Sequence, residues 1–541
     1  MVEEKRGPLS PKSPFMITIY VLILLLLGTA YILWGTAPAP TVAKHVSPYK
    51  PTVEIADHSE VFKKFNITRY EGSKTCMMCH EEEVKEVFHS AHYQMANYVN
   101  DIEGKGQVLV GSKIMYNDFC GSIFWMGEKP VNWIGNATLK VPPPGKEELK
   151  GKFLASGCSM CHGVSLGAIP KPEMTEEQLE NIDCLVCHHL EYKGGAAGVK
   201  KGYRKLVKTE QGFRYVPNPE LDAVELAKKI TAKPTKEACL WCHAYAGGGP
   251  GFKRPNIDPS LMGDVSEDID VHLARGMQCV DCHVFEDHKV ATKAVDTWHR
   301  QTDKAPTCEQ CHEQRHTRPV IGWILKTFHE EKIACQTCHI PRIAKKFKTD
   351  VVRMWNVTEW NDINHKWFAK LEMVGNLTPT YAWWNERTRK VYVYPEKAQV
   401  KDGTLTYAAP VGSHEDGKIY PFKYHYAYIP FDSKAGIPVP TKVGAVFTAN
   451  KVDKMVQLGE QISGLKADSW IKLERYMQVN HGVEPAENAL WCTDCHGVWK
   501  TKLDYEKLGY GMYPKIAFTA VTLILIAVVA GVLYIAWKKS K

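Results

Sequence analysis

Sixteen of the seventeen cysteines fall in one pentapeptide, Cys-x-x-Cys-His, repeated eight times. The paired thiols are Cys76 and Cys79, Cys158 and Cys161, Cys184 and Cys187, Cys239 and Cys242, Cys279 and Cys282, Cys308 and Cys311, Cys335 and Cys338, and Cys492 and Cys495. The adjoining imidazoles are His80, His162, His188, His243, His283, His312, His339 and His496. This pattern attaches c-type haem: the thiols form thioethers to the vinyl groups, and the adjacent His is placed to ligate the iron. Zinc knuckles pair two half-sites and need no His after each. A disulfide framework needs no His at all. A thioredoxin-like pair would occur once, beside a βαβ pattern.

Eight covalent haems dictate the expected architecture. Each is a large apolar object that gathers core around itself, so few regular elements are needed. The sequence predicts a mainly α fold with much irregular structure, organised around the haems, with few short strands and one transmembrane helix at each end. Short helices are expected at the motifs, as in TEEQLENIDCLVCHH and PTKEACLWCH. The formal charge of +8 would be offset by the haem propionates, so no nucleic-acid partner is read from it. Covalent haem attachment implies maturation outside the cytoplasm.

Two uncharged apolar runs, residues 15–36 and 516–537, each have the length of a bilayer-spanning helix. Lys5, Arg6 and Lys12 precede the first, and Lys538, Lys539 and Lys541 follow the second. The positive-inside tendency puts both termini in the cytoplasm. The expected localisation is therefore the cell membrane, with the haem domain on the extracytoplasmic face. The organisation read from the chain is a cytoplasmic tail over 1–14, an anchor over 15–36, a linker over 37–75 and haems one to seven over 76–345. An aromatic-rich haem-free region over 346–490 follows. Then come the eighth haem with a membrane-proximal segment over 491–515, an anchor over 516–537 and a tail over 538–541. Within the haem-free region, KVYVYPE suggests short strands, and VDKMVQLGEQISGLKADSWIKLERYMQ reads as helical.

Of 22 histidines, fourteen lie outside the motifs. Bis-His ligation of every iron would need eight of them. His92, His272, His288, His299, His316, His329 and His481 stand at recurring offsets from the motifs and are the candidates. His89, His189, His365, His414 and His425 are held in reserve, and His45 and His58 are expected to be solvated. Asn66, Asn136, Asn356 and Asn376 each open an Asn-x-Thr sequon, and glycosylation is left open.

The segments NDFC, NIDCLVCH with a following Tyr-Lys, YAGGGPGFKRPNID, DVHLARGMQCVDCH, ACQTCHIP, PTYAWWN and ALWCTDCHG together resemble the octahaem tetrathionate reductase family over about residues 70–500. The resemblance implies one haem with a Lys nitrogen on its iron, forming an active site. By motif match that Lys is Lys193, serving the haem on Cys158 and Cys161, with Lys200, Lys201 and Lys205 as alternatives. It also places Asn117 and the single motif-free cysteine, Cys120, beside that pocket, and makes His425 a further pocket residue or distal ligand. The chain departs from the pattern at His189, where the family has an acidic residue, and in its two terminal apolar runs.

Three functions compete. The first is reduction of a small oxidised sulfur or nitrogen compound (tetrathionate, nitrite or hydroxylamine) at a Lys-ligated haem fed by seven bis-His haems. The second is an electron conduit from the quinone pool to an extracytoplasmic acceptor. The third is an oxidative enzyme like hydroxylamine oxidoreductase. The partners expected are membrane lipid through the two terminal helices, redox proteins or the quinone pool, a small-molecule substrate and a second copy of the chain.

Overall fold

The structure, a computed structural model, describes residues 53–126, 129–135, 137–154, 158, 162, 164–210, 212–296, 304–313, 315–317, 319–496 and 501–540. The first apolar run, His45, Asn136, Cys161 and His299 lie outside the described residues.

The haem-motif segments fold locally, as their sequence requires. A helical turn brings the two thiols and the imidazole, at i, i+3 and i+4, to one side of the backbone. The His backbone N–H closes that turn on the carbonyl of the first Cys in motif after motif: His80 to Cys76 at 2.8 Å, His188 to Cys184 at 3.0 Å, His283 to Cys279 at 2.8 Å and His496 to Cys492 at 2.7 Å. Side-chain caps fix the starts of neighbouring helices. Thr235 accepts from the Ala238 N–H ahead of the helix Lys236–His243, and Thr175 accepts from Gln178 ahead of Glu176–Glu180, satisfying donors that a helix start leaves free.

The aromatic-rich region departs from the expectation of few short strands. It carries a nine-stranded sheet whose main path runs Lys366–Val374, Thr349–Asn361, Lys418–Asp432, Ser469–Gln478, Thr404–Pro410 and Arg389–Val391. Most pairings are antiparallel, but Lys418–Asp432 runs parallel to Thr349–Asn361, and Thr404–Pro410 runs parallel to Ser469–Gln478. The segment read as one helix divides. Val452–Ser463 is helical and stops at Gly464, whose φ of 74° is left-handed, and Ser469–Gln478 is a strand. The strand follows its period of two: Ile471, Leu473, Arg475 and Met477 are buried, and Trp470, Lys472, Glu474 and Tyr476 between them are half-buried. This region has its own core, in which Trp355, Leu405, Tyr407, Ala427, Ile429 and Leu473 pack together.

The same alternation positions a buried ionic face. In Lys418–Asp432, Lys423, His425, Ala427 and Ile429 point inward, and Tyr424, Tyr426 and Tyr428 point outward. His425 is the register partner of Arg475, and Ala427 is that of Arg353. Lys423, His425, Arg353 and Arg475 are thereby gathered under one face, all buried.

The terminal-anchor expectation is overturned. The second apolar run lies within the helix Tyr513–Ser540, several of whose side chains fall outside the described residues. Among the described residues, no helix is long and apolar enough to cross a membrane. The membrane localisation, with both termini on its cytoplasmic side, falls with that expectation. Part of the stretch read as linker is packed: Phe62, on the helix Ser59–Lys64, is buried against Ala223 and Ala227.

Candidate functional site

Seven of the eight motif histidines face a second imidazole. His80 faces His58 with ring centres 6.2 Å apart, His188 faces His288 at 6.3 Å, and His243 faces His92 at 6.4 Å. His283 faces His481 at 6.0 Å, His312 faces His272 at 6.0 Å, His339 faces His316 at 6.4 Å, and His496 faces His329 at 5.8 Å. A metal bonded to both imidazole nitrogens at about 2 Å, with each ring centre about 1 Å further on, separates the centres by about 6 Å. The donor set thus fits a six-coordinate iron at each of these places.

A cavity of ≈ 1410 Å³ runs beside the first four motifs and is lined by Cys76, His80, Cys158, His162, Cys184, His188, Cys239 and His243. The thiols of successive motifs also adjoin. Cys76 lies beside Cys184, Cys239 beside Cys279 and Cys308 beside Cys335. Cys187 lies near Cys242, Cys282 near Cys311, and Cys338 near Cys492. These contacts string the motifs in the order first, third, fourth, fifth, sixth, seventh, eighth.

The second motif stands apart. Its His162 meets Phe124 edge-on with ring centres 4.8 Å apart, and among the described residues no imidazole is paired with it. His162 is close enough to His92, which faces the fourth motif, to feel its charge, so this branch joins the series there. Asn117, Phe119, Cys120, Phe124, Lys253, Lys366, Phe368 and Phe447 line the same cavity. Asn117 and Ser122 exchange backbone hydrogen bonds at 2.7 and 3.1 Å and close a turn that carries Cys120. Gly121 sits in that turn at φ 61°, and a Cβ there would come within 2.8 Å of the Trp355 indole. Trp355 in turn donates to the Asp118 carbonyl at 2.8 Å, Arg353 donates to that of Phe119, and Arg475 holds the Asp118 carboxylate. The sheet therefore fixes the pocket turn from beneath.

The electrostatics are cationic over a compensated base. Arg353 lies 4.9 Å from the centre of the Phe119 ring and Lys253 5.4 Å. Burial pushes the Lys253 amine down to about 8, helped by the neighbouring Arg475 and Arg254. Burial raises the Cys120 thiol despite Arg353 and Lys253, so the nearby cations do not leave it a ready thiolate. His425 stacks on Phe119 at 4.3 Å. Its Nδ1 lies 3.1 Å from Asp118 and its Nε2 3.8 Å from Asp350, with all three side chains fully buried.

The structure gathers Asn117, Cys120 and His425 around this turn but sets Lys193 elsewhere. Its amine lies 5.3 Å over the Trp241 ring, near Cys242 of the fourth motif, and it is not among the residues lining the cavity. Among the described residues, the lysine whose charge reaches His162 is Lys253. Its segment, GFKRPN, reads in the sequence as a Gly- and Pro-rich linker and as one of the segments that carry the resemblance. His189 is buried and turned inward, its Nδ1 accepting from the Glu191 and Tyr192 N–H groups at 2.9 Å each. His89 and His365 are exposed, and His414 packs against Trp383 and Tyr510. His58, expected in solvent, faces the first motif.

Comparison with known proteins agrees with this cofactor. A family model described as "Cytochrome c bacterial" matches residues 356–498, and one described as "Cytochrome c7 and related cytochrome c" matches residues 265–340. An "Uncharacterized protein" of Archaeoglobus fulgidus is 46% identical over 265 residues, which are 48% of this chain and 88% of that protein. The crystal structure of octaheme cytochrome c from Shewanella oneidensis superposes with a TM-score of 0.60 at 24% identity, over 82% of this chain and 95% of that one. These likenesses carry the fold and covalently bound haem c; they do not single out tetrathionate reductases. The chain belongs to one family with the Archaeoglobus fulgidus protein, and it is a multihaem c-type cytochrome.

Proposed function

We propose that this cytochrome carries eight haems. The seven His-paired sites would hold relay haems, and the Cys158–His162 site would hold the haem that supplies electrons to a small oxidised sulfur or nitrogen compound such as tetrathionate, nitrite or hydroxylamine. The observation that carries this reading is the odd centre: seven motif imidazoles have a partner ring at 5.8–6.4 Å, and His162 has Phe124.

Haem supplies one-electron chemistry and, where an axial position is open, a place for a substrate to bind. The chain's own residues do the rest. The paired imidazoles would hold the relay irons from both sides and close them to other ligands. Phe119, Phe124, Phe368 and Phe447 wall the pocket and exclude water, which strengthens every electrostatic contact within it. Lys253 offers a charge-assisted hydrogen bond to a substrate oxygen, and Arg353 adds positive potential from behind Phe119. Asp118 and Asp350 offset the cations beneath the turn, so the positive character is directed at the cavity.

Low-temperature EPR of the haem-loaded chain tests the reading. Seven low-spin bis-imidazole signals and one distinct signal that moves on adding nitrite or hydroxylamine are expected. Eight low-spin signals that no ligand moves would remove the enzyme and leave a conduit.

A further inference from the structure

Two of the rings that face motif histidines are held by carboxylates. His288, opposite His188 of the third motif, has its Nδ1 2.7 Å from Glu86 Oε2. His316, opposite His339 of the seventh motif, has its Nδ1 2.8 Å from Glu330 Oε1. Neutral backbone carbonyls serve other rings: Thr231 for His188 at 3.1 Å, Ala291 for His283 at 3.2 Å, Ala56 for His58 at 2.6 Å and Ile324 for His329 at 3.5 Å, while the carboxylates nearest His80 and His272, Glu83 and Asp270, stand off at 3.8 Å.

The two rings share a second feature. His288 and His316 occupy left-handed backbone, with φ of 59° and 50°, a conformation that costs a non-glycine residue energy and persists only where surrounding structure imposes it. Each carboxylate reaches its ring from another segment, 202 positions away for Glu86 and 14 for Glu330. Glu86 is on the helix Glu81–His89 after the first motif, and Glu330 follows the helix Pro319–Phe328. Both rings are aimed by their backbone and held by an anionic acceptor.

We propose that Glu86 and Glu330 are positioning residues that set the reduction potentials of the irons at the third and seventh motifs below those of irons whose rings are backed by carbonyls. This rests on the reading of His288 and His316 as axial ligands. A carboxylate that accepts the Nδ1 proton raises the basicity of the opposite nitrogen. The stronger donor favours ferric over ferrous iron and lowers the potential. Glu330 acts more weakly than Glu86, because Arg315 binds its other oxygen at 3.0 Å and shares its charge. In the order of thiol contacts, the third and seventh motifs are each next to an end. Two low-potential irons would bracket the inner run of the fourth, fifth and sixth motifs, of which the fourth adjoins the second.

The test is a potentiometric titration of the full haem-loaded chain, followed by visible absorbance and EPR. Glu86→Gln keeps shape and removes charge, and one component is expected to move to higher potential while the others hold. Glu330→Gln moves a different component in the same direction and by less, and Arg315→Gln moves that component the opposite way. Glu330→Gln carries the claim alone if Glu86→Gln yields no haem-loaded protein. Glu81→Gln, a charge lost from the same helix as Glu86, serves as the control and shifts nothing. His288→Ala separates the two layers of the argument. If it gains a high-spin signal while both Gln variants titrate like the unaltered chain, the carboxylates do no tuning and the proposal is overturned. If it leaves the spectrum unchanged, the ligand reading itself falls.

Discussion

His58 faces His80 of the first motif with ring centres 6.2 Å apart, although they stand 22 positions apart in the chain. Its Nδ1 is tied to the Ala56 carbonyl at 2.6 Å, which fixes the tautomer and leaves Nε2 to face across the gap. His58→Ala is therefore expected to convert one low-spin haem to a high-spin or water-ligated state and leave the other His-paired signals in place. EPR and the high-spin absorbance band of the ferric protein read the outcome; an unchanged spectrum would remove His58 from the iron.

Lys253 and Lys193 make opposite predictions. Lys253 is buried beside Phe119 and lines the same cavity as His162, whereas Lys193 lies over Trp241. A hydrogen bond to a charged group is worth about 1.5–3 kcal/mol, so Lys253→Met should raise KM for nitrite on the order of tenfold to a hundredfold. Lys193→Met should leave it within about twofold, the scale of a contact that adds no net binding. Steady-state kinetics with a reduced viologen as donor reads both, and equal losses in the two variants would return Lys193 to the pocket.

What could be read from the chain, and what could not, follows from the range of each interaction. Haem attachment is local: five consecutive residues carry it, so the cofactor was legible without a fold. Distal ligation is not local. His92 follows the first motif but faces the fourth, His288 follows the fifth but faces the third, and His481 precedes the eighth but faces the fifth. Offsets along the chain named these residues without pairing them, and they missed His58, which lies in a Pro-rich stretch that reads as linker. The sheet was missed for a related reason. Its inward face carries Lys423, His425, Arg353 and Arg475, whose charges break the apolar alternation that marks a strand. The turn at Asn117–Ser122 was legible only as a resemblance; its meaning comes from residues more than 200 positions away that clamp it.

Arg475 is the keystone of that clamp. Its guanidinium pairs with Asp118 and lies 3.7 Å from Asp296, with all three side chains inaccessible to solvent. Breaking a buried ion pair from one side leaves an uncompensated charge and costs about 3–5 kcal/mol. Arg475→Met is expected to lose stability of that order in urea or guanidinium unfolding. The Arg475→Met/Asp118→Asn double variant should recover part of the loss, since the orphaned charge is gone. A double variant no better than the single would show that the pair is not what Arg475 supplies.

The same buried groups set the response to acid. Burial pushes the Asp118 and Asp350 carboxyls up, but Arg475 and His425 at Asp118, and Arg353 and Lys423 at Asp350, outweigh it and hold both well below the ordinary value of 3.8. As pH falls through about 4, the unfolded chain takes up protons that the folded chain still refuses. The stability these carboxylates contribute is fully present above that range and is lost below it, at up to about 1.4 kcal/mol per pH unit for each. Lys423 acts at the other end of the scale. Burial pushes its amine down to about 8 from 10.5, so its contribution is present above the unfolded value and is lost as pH falls through about 8. Asp350→Asn should therefore flatten the acid limb of a stability–pH curve between about pH 4 and 2, the interval where native and unfolded proton binding differ. Lys423→Met should flatten the rise between about pH 8 and 10.5 by the same linkage. Unfolding midpoints in denaturant across these two intervals check both limbs, and an acid limb equally steep in Asp350→Asn would place the acid sensitivity elsewhere in the chain.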